Sequence, residues 1–359
     1  MNTFGMALRL STFGESHGAG IGCVLDGVPA GLRIDEEFIA RALERRAPGR
    51  TRYATQRKEP DKAEILSGVF EGVSTGAPIA LFIANTAKKS SDYENLKELF
   101  RPGHADYTYF HKYGVRDYRG GGRSSARESV ARVAGGAIAA LMLREFGIVV
   151  EGGVLGVGEI VGERLDFTHA QSSPIFALDK EREEAQCARI EAARKAHNSV
   201  GGVVALRARG LMAGLGEPLY HKLDSALGAA LLGLNAVKAV EIGDGIRSST
   251  QSGSEHNDEL GKAGFMSNHS GGVLGGISNG DELLVRVHFK PTPSIFLPQR
   301  TLDTSGNERV CEIKGRHDPC VAVRGCVVAE AMINLVLADM LLLHTTATME
   351  NLKKVYKSF

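Results

Sequence analysis

The order of strand-like and helix-like segments constrains this chain more than any single motif. Runs rich in β-branched residues occur at 64–70, 78–84, 200–209, 236–242 and 282–289. Helical periodicity covers 35–47, 125–146, 178–197, 218–232 and 321–343. Strands follow strands and helices follow helices, which is incompatible with the regular alternation of a doubly wound sheet or a β/α barrel. A layered α+β domain is the expectation. No Pro/Ser-rich linker or fixed-period repeat divides the chain. GGVLG occurs at 152–156 and 271–275, but the flanks differ.

Composition narrows the class. With 43% hydrophobic and 24% charged residues the chain has the balance of a globular protein, neither disordered nor collagen-like. The 43 Lys+Arg and 42 Asp+Glu leave a formal charge of +1, so no global field draws it to nucleic acid or a membrane. The 44 glycines lie outside any low-complexity run and point to tight turns and close backbone approaches, as found around phosphates. Cys23, Cys187, Cys311, Cys320 and Cys326 are odd in number and form no C-x-x-C pair, which fits reduced thiols in the cytoplasm. The first residues lack the apolar core of a secretory signal. The apolar stretch 331–343 contains Asp339 and is too short to span a bilayer. No membrane association and no metal site are expected.

Basic charge is local. Between Arg41 and Lys62 lie Arg41, Arg45, Arg46, Arg50, Arg52, Arg57, Lys58 and Lys62 against three acids, and from Lys112 to Arg132 there are six basic residues against two. Each stretch could be a solvated face, or the two could assemble one anion pocket, since guanidinium groups grip phosphate and carboxylate in pairs. In YRGGGRSSARESVARV, beginning at Tyr118, Ser125 and Glu128 have capping-box spacing, which predicts a helix starting at Ser125. Its positive end, its exposed N–H groups, Arg123 and Arg127 would bind a phosphate. An ordinary capped helix behind a glycine turn remains the alternative.

Two histidines stand in polar, glycine-containing turns: His17 in FGESHGAGIGC and His104 in FRPGHADYTY. Such residues suit acid–base work, although either could be structural. Neither has zinc-ligand spacing. Three later segments carry donors: SNHSGGVLGGISNG from Ser267, KPTPSI from Lys290, and KGRHDPC from Lys314. A Walker lysine motif and a G-x-G-x-x-G after a strand are both missing, which disfavours ATP and Rossmann sites.

GESHGAGIGCVLDGVP, GGRSSARESVARVAGGAI and RHDPCVAVRGCVVAEAM resemble the three signatures of the chorismate synthase family, and the stretches between them are similar in the same order, from Thr12 to about Leu343. The resemblance implies a single catalytic domain over 1–343 with a tail at 344–359, built as a β-α-β-α sandwich and assembled as a homotetramer. It implies anti-1,4-elimination of phosphate from 5-enolpyruvylshikimate 3-phosphate to give chorismate, with reduced FMN required but not consumed. By the same resemblance His17 protonates the reduced flavin, His104 assists phosphate departure, and Asp318, with the flavin N5, takes up the proton lost from C6. Arg46, Arg52 and Arg127 would hold the phosphorylated substrate. Arg123, Ser124, Ser125, Asn235, Ala236, Gly275, Lys290, Pro291, Thr292, Pro293, Ser294 and Arg316 would hold FMN. NADPH would act only indirectly, and a chain of 359 residues leaves no room for an added reductase domain, so an external reductant is expected.

Other readings compete at particular residues. RGGGRSSAR superficially resembles an Arg/Gly/Ser-rich nucleic-acid-binding segment, and glycine abundance alone would admit an NAD(P)-linked oxidoreductase. Asp318 precedes Pro319 and a long apolar helix, so it could simply be that helix's N-cap, with proline opening the first turn.

Overall fold

The computed structural model describes residues 2–54, 61–86, 90–313 and 317–357. Arg57, Lys58, Lys314 and Arg316 lie outside the described residues. The first sheet holds β1 (Thr3–Phe4), β2 (Arg9–Gly14), β3 (Gly20–Asp26), β4 (Ala63–Ile65) and β7 (Ile79–Ala84) in the order β1-β2-β3-β7-β4, every pair antiparallel. A small hairpin, β5 (Val69–Phe70) and β6 (Val73–Ser74), precedes β7. The expected strand over 64–70 is thus two short pieces separated at Gly68, whose φ of +79° belongs to a turn.

The second sheet contains β8 (Val149–Val157), β9 (Ile160–Val161), β10 (Gly202–Arg209), β11 (Val237–Ile242) and β16 (Leu283–Phe289), ordered β11-β16-β10-β8-β9 and again antiparallel. Two small hairpins, β12 (Leu260–Gly261) with β13 (Gly264–Phe265) and β14 (Val273–Leu274) with β15 (Ile277–Ser278), lie between β11 and β16. Parallel βαβ units, on which a dinucleotide fold depends, are absent from both sheets among the described residues.

Between the sheets run α1 (Glu36–Arg46), α3 (Ser129–Arg144), α6 (Leu223–Leu232) and α8 (Ala322–His344), while α2 (Asp106–Tyr113) lies in a loop region beside the cavity described below. Helix α3 packs on β3 and β7, and α8 packs on β8, β10 and β16. The two helices meet at Gly136, where a Cβ would stand 2.6 Å from that of Ala331, so only glycine permits this approach. Strand β10 alternates: Val204, Leu206 and Ala208 join the central core, while Ala205 joins a separate cluster with Phe167, Ala170 and Leu178. That outer cluster seats α4 (Phe167–Ser172), while α5 (Lys180–Lys195) packs on β8 and β9. Sheet, helices, sheet, helices is the expected β-α-β-α sandwich. Two small helices, α7 (Gly253–His256) and α9 (Met349–Tyr356), are peripheral.

The helix expected over 321–343 is α8, displaced by a single residue. At 23 residues α8 has the length and composition to cross a membrane, but 89% of its most apolar window is buried between the sheets. Its polar residues have local partners. Glu330 receives two hydrogen bonds from Arg45, at 2.6 and 2.9 Å. Asp339 accepts the backbone N–H groups of Met6, Ala7 and Leu8 at 2.7–2.9 Å, locking the β1–β2 turn onto the helix.

Candidate functional site

A cavity of about 440 Å³ opens beside the end of α1 and the start of α8. One wall is the segment before α3. Gly120, Gly121 and Gly122 have φ of +63°, +87° and +53°, a left-handed run that side chains resist. The chain then makes two short 3₁₀ turns, Gly122–Ser124 and Ala126–Glu128, before α3 begins at Ser129. The helix therefore starts four residues later than the capping-box spacing predicts. Ser125 accepts the N–H of Arg127, but the Glu128 carboxylate turns to Arg132, 3.0 Å away, and the box does not form. The i,i+4 ion pair wins over the cap.

Ser124, Ser125, Arg127, Asn235, Ala236, Lys290, Thr292, Pro293, Ser294, His104, Asp318 and Arg46 all border this cavity. Their positions are cross-linked: Asn235 donates to the Ser124 carbonyl at 3.1 Å, the Lys290 N–H to the Ala236 carbonyl at 2.9 Å, and Lys290 Nζ to the Gly103 carbonyl at 2.7 Å. RGGGRSSAR is thus folded into the cavity wall, with Arg127 only 7% exposed, and is no open basic strand.

His104 hydrogen-bonds through Nδ1, 3.2 Å from both Arg101 Nη2 and Asp106 Oδ1. Burial, reinforced by the positive charges of Arg101 and Lys290, pushes its pKa down against the opposing pull of Asp106. Nδ1 thus faces both a donor, Arg101, and an acceptor, Asp106. Burial alone would protonate Asp106, but hydrogen bonds from Arg101 and His104 outweigh it and hold this carboxyl far below the usual range.

His17 lies in the turn between β2 and β3, 5% exposed, with Nδ1 3.2 Å from Ser16 Oγ and its ring edge-on to Tyr93 at 5.1 Å. Gly120 covers it so closely that a Cβ there would sit 2.3 Å from His17 Cε1. Since Gly120 and Tyr93 border the cavity, His17 stands immediately behind that wall.

Asp318 is not a helix cap. Helix α8 begins at Ala322 with Val321 at its N-cap, and the Asp318 carboxylate instead receives Arg324 Nη1 at 2.7 Å. Arg324 Nε in turn donates to the Arg46 carbonyl at 2.9 Å, tying the start of α8 to the end of α1. The ion pair satisfies the carboxylate, and Pro319 lies three residues outside the helix.

Several expected residues are elsewhere. The Arg52 side chain is 72% exposed, pairs with Glu191 at 3.2 Å and donates to Tyr53 Oη at 2.6 Å beside a separate open groove. Gly275 forms the β14–β15 turn, outside the cavity lining. Arg123 points back to β2, donating to the Thr12 carbonyl at 3.0 Å, and Pro291 is also outside the lining. Arg316 falls outside the described residues. Conversely, the cavity includes Tyr93, Arg101, His317 and Arg324, none singled out from sequence as site residues. Arg101 and His317 were legible only as neighbours of His104 and Asp318 in their motifs; Arg324 carried no signal inside an apolar helix.

Guanidinium groups, an ammonium, hydroxyls and imidazoles around one deep cavity, on a two-sheet antiparallel scaffold, define the class: an α+β enzyme with a site for a small ligand bearing several negative charges. A family model for chorismate synthase matches residues 8–342. The chain is 69% identical over 357 residues to the chorismate synthase of Helicobacter hepaticus, covering 99% of this chain and 100% of that one. To those of Sulfurovum sp. and Helicobacter pylori it is 62% and 59% identical over 356 and 362 residues, covering 99% of this chain and 100% and 99% of theirs. A solved structure described as the crystal structure of chorismate synthase superposes with a TM-score of 0.77 at 32% identity, covering 99% of this chain and 97% of that one. The chain belongs to the chorismate synthase family, whose name makes it a lyase of the shikimate pathway.

Proposed function

We propose that the protein eliminates phosphate from 5-enolpyruvylshikimate 3-phosphate in an anti-1,4 sense to give chorismate, with reduced FMN required and not consumed. The observation that carries this reading is the convergence of Arg46, Arg127, His104, Asp318 and the Lys290–Ser294 segment on one cavity. The residues suit a flavin mononucleotide and a phosphorylated dicarboxylate: the walls supply cationic and hydroxyl donors, and Thr292 Oγ1 and His317 Nε2 are buried without a hydrogen-bond partner. Ser124, Ser125, Asn235, Ala236, Lys290, Thr292, Pro293 and Ser294 would hold the cofactor, with Arg123, Pro291, Gly275 and Arg316 assigned by resemblance alone.

Reduced flavin would supply the transient electron donation that lets phosphate leave across an alkene. Arg46 and Arg127 hold the substrate phosphate. His104, held between Arg101 and Asp106, assists departure of the substrate phosphate. Asp318, oriented by Arg324, receives the proton lost from C6, and His17 manages the proton on the flavin side. Resemblance alone would add Arg52 to this anion site, and its exposed pairing with Glu191 argues against it. Assembly as a homotetramer would cover apolar groups such as Tyr220, which is 100% exposed in one chain. A cytoplasmic setting with an external flavin reductant, and NADPH acting only through flavin reduction, completes the proposal.

Anaerobic turnover with photoreduced FMN tests it. A trace of reduced flavin should support many turnovers with or without NADPH. Oxidation of one reductant per chorismate formed would overturn the reading.

A further inference from the structure

Arg46 and Arg127 reach the same cavity wall from distant parts of the chain, one from the last turn of α1 and the other from the 3₁₀ turn before α3. Both guanidinium groups are buried, and like charges brought together away from water repel. Burial, together with the nearby charges of Arg324 and Arg127, lowers the pKa of Arg46 to about 10 despite an adjacent carboxylate. Something has to hold the pair in register. The carboxylate of Asp61, 1% exposed and itself outside the cavity lining, touches both: Oδ2 receives Arg46 Nη2 at 2.8 Å and Oδ1 receives Arg127 Nη1. Among the described residues, Arg46 Nη1 also donates to Ser129 Oγ at 3.2 Å and Arg127 Nε to Asn85 Oδ1 at 3.1 Å. Asn85 in turn donates to the carbonyls of Glu15 and Gly18, which flank His17 in its turn.

We propose that Asp61 is a positioning residue for substrate binding: its two carboxylate oxygens each take one guanidinium, so Arg46 and Arg127 stand side by side to receive one ligand phosphate. Asp61 touches no ligand and acts through the arginines. The inference rests on the proposed function for the identity of the ligand, and it also names the chemistry that aligns the anion site.

The test is a double-mutant cycle on equilibrium affinity for 5-enolpyruvylshikimate 3-phosphate, measured by calorimetry with oxidised FMN present. Asp61→Asn should weaken binding at least about tenfold, and in turnover KM should rise by more than kcat falls. In an Arg127→Met background the same substitution should cost less than about threefold, because one of the residues it aligns is already gone. Equal losses in both backgrounds, or an unchanged affinity, would overturn the proposal. Should the single Asn variant fail to fold, Asp61→Glu keeps the charge and displaces it by one methylene. It should fold and still bind weakly, and wild-type affinity in that variant would likewise overturn the proposal. Wild-type protein that binds the ligand but forms no chorismate with reduced FMN refutes the proposed function instead, and leaves this cycle readable.

Discussion

At the scale of single residues, tertiary contacts separate roles that local spacing left equal. Asp318 lost its helix-cap reading to Arg324, so its carboxylate is free to be judged on chemistry. Asp318→Asn is expected to fold and bind FMN but to lose at least about 10²-fold in kcat, since an amide is no base at neutral pH. Near-normal turnover in the folded variant would remove Asp318 from the reaction. The two arginines carried over together also part. Arg46 is 1% exposed in the cavity wall, and Arg46→Ala should raise KM by about one to two orders of magnitude. Arg52, on the surface and paired with Glu191, should change KM by no more than about fivefold when replaced by Ala, the scale of an exposed ion pair. A rise matching that of Arg46 would bring Arg52 to the ligand after all.

Among the elements, α8 decides most. Its apolar surface fills the space between the sheets, and its few polar residues specify which neighbours it meets. Asp339 collects three backbone N–H groups of the β1–β2 turn. Removing that acceptor strands three N–H groups, that of Leu8 fully buried, so Asp339→Ala should cost about 2–4 kcal/mol. Urea unfolding would show this as a lower midpoint with an unchanged slope. A midpoint equal to wild type would mean that water replaces the carboxylate and that the turn is not locked by it.

For the whole molecule, the buried charges set how stability responds to pH. Burial first, then the charges of Arg101 and His104, lower the His317 pKa to about 4 from an ordinary 6.5. The unfolded chain therefore binds a proton that the folded one refuses, and stability falls as pH drops from about 6.5 towards 4. Below that window Asp61 and Asp106, whose carboxyls are held low by their arginines against the cost of burial, add a second loss as they take up protons. Urea unfolding at pH 7 and pH 5 should show lower stability at pH 5, and His317→Gln should narrow the gap. An equal gap in the variant would place the titrating group elsewhere.

Much of the architecture was legible because patterning is local physics. The periodicity over 35–47 became α1 with Asp35 as its cap, and the alternation over 282–289 became β16. Strands β2, β3 and β8 were not marked out: β3 and β8 carry glycines at close backbone approaches, which dilute a strand signal that pairing partners restore. The site divides in the same way. Motif residues such as His104, Ser125 and Lys290 could be named from the chain because each is part of a distinctive local run. That Arg324 claims Asp318, and that Asp61 aligns two arginines 15 and 66 residues away, were decided only by folding. Ion-pair partners in a protein interior are chosen by proximity in space, and the spacing of residues along a chain carries no record of it.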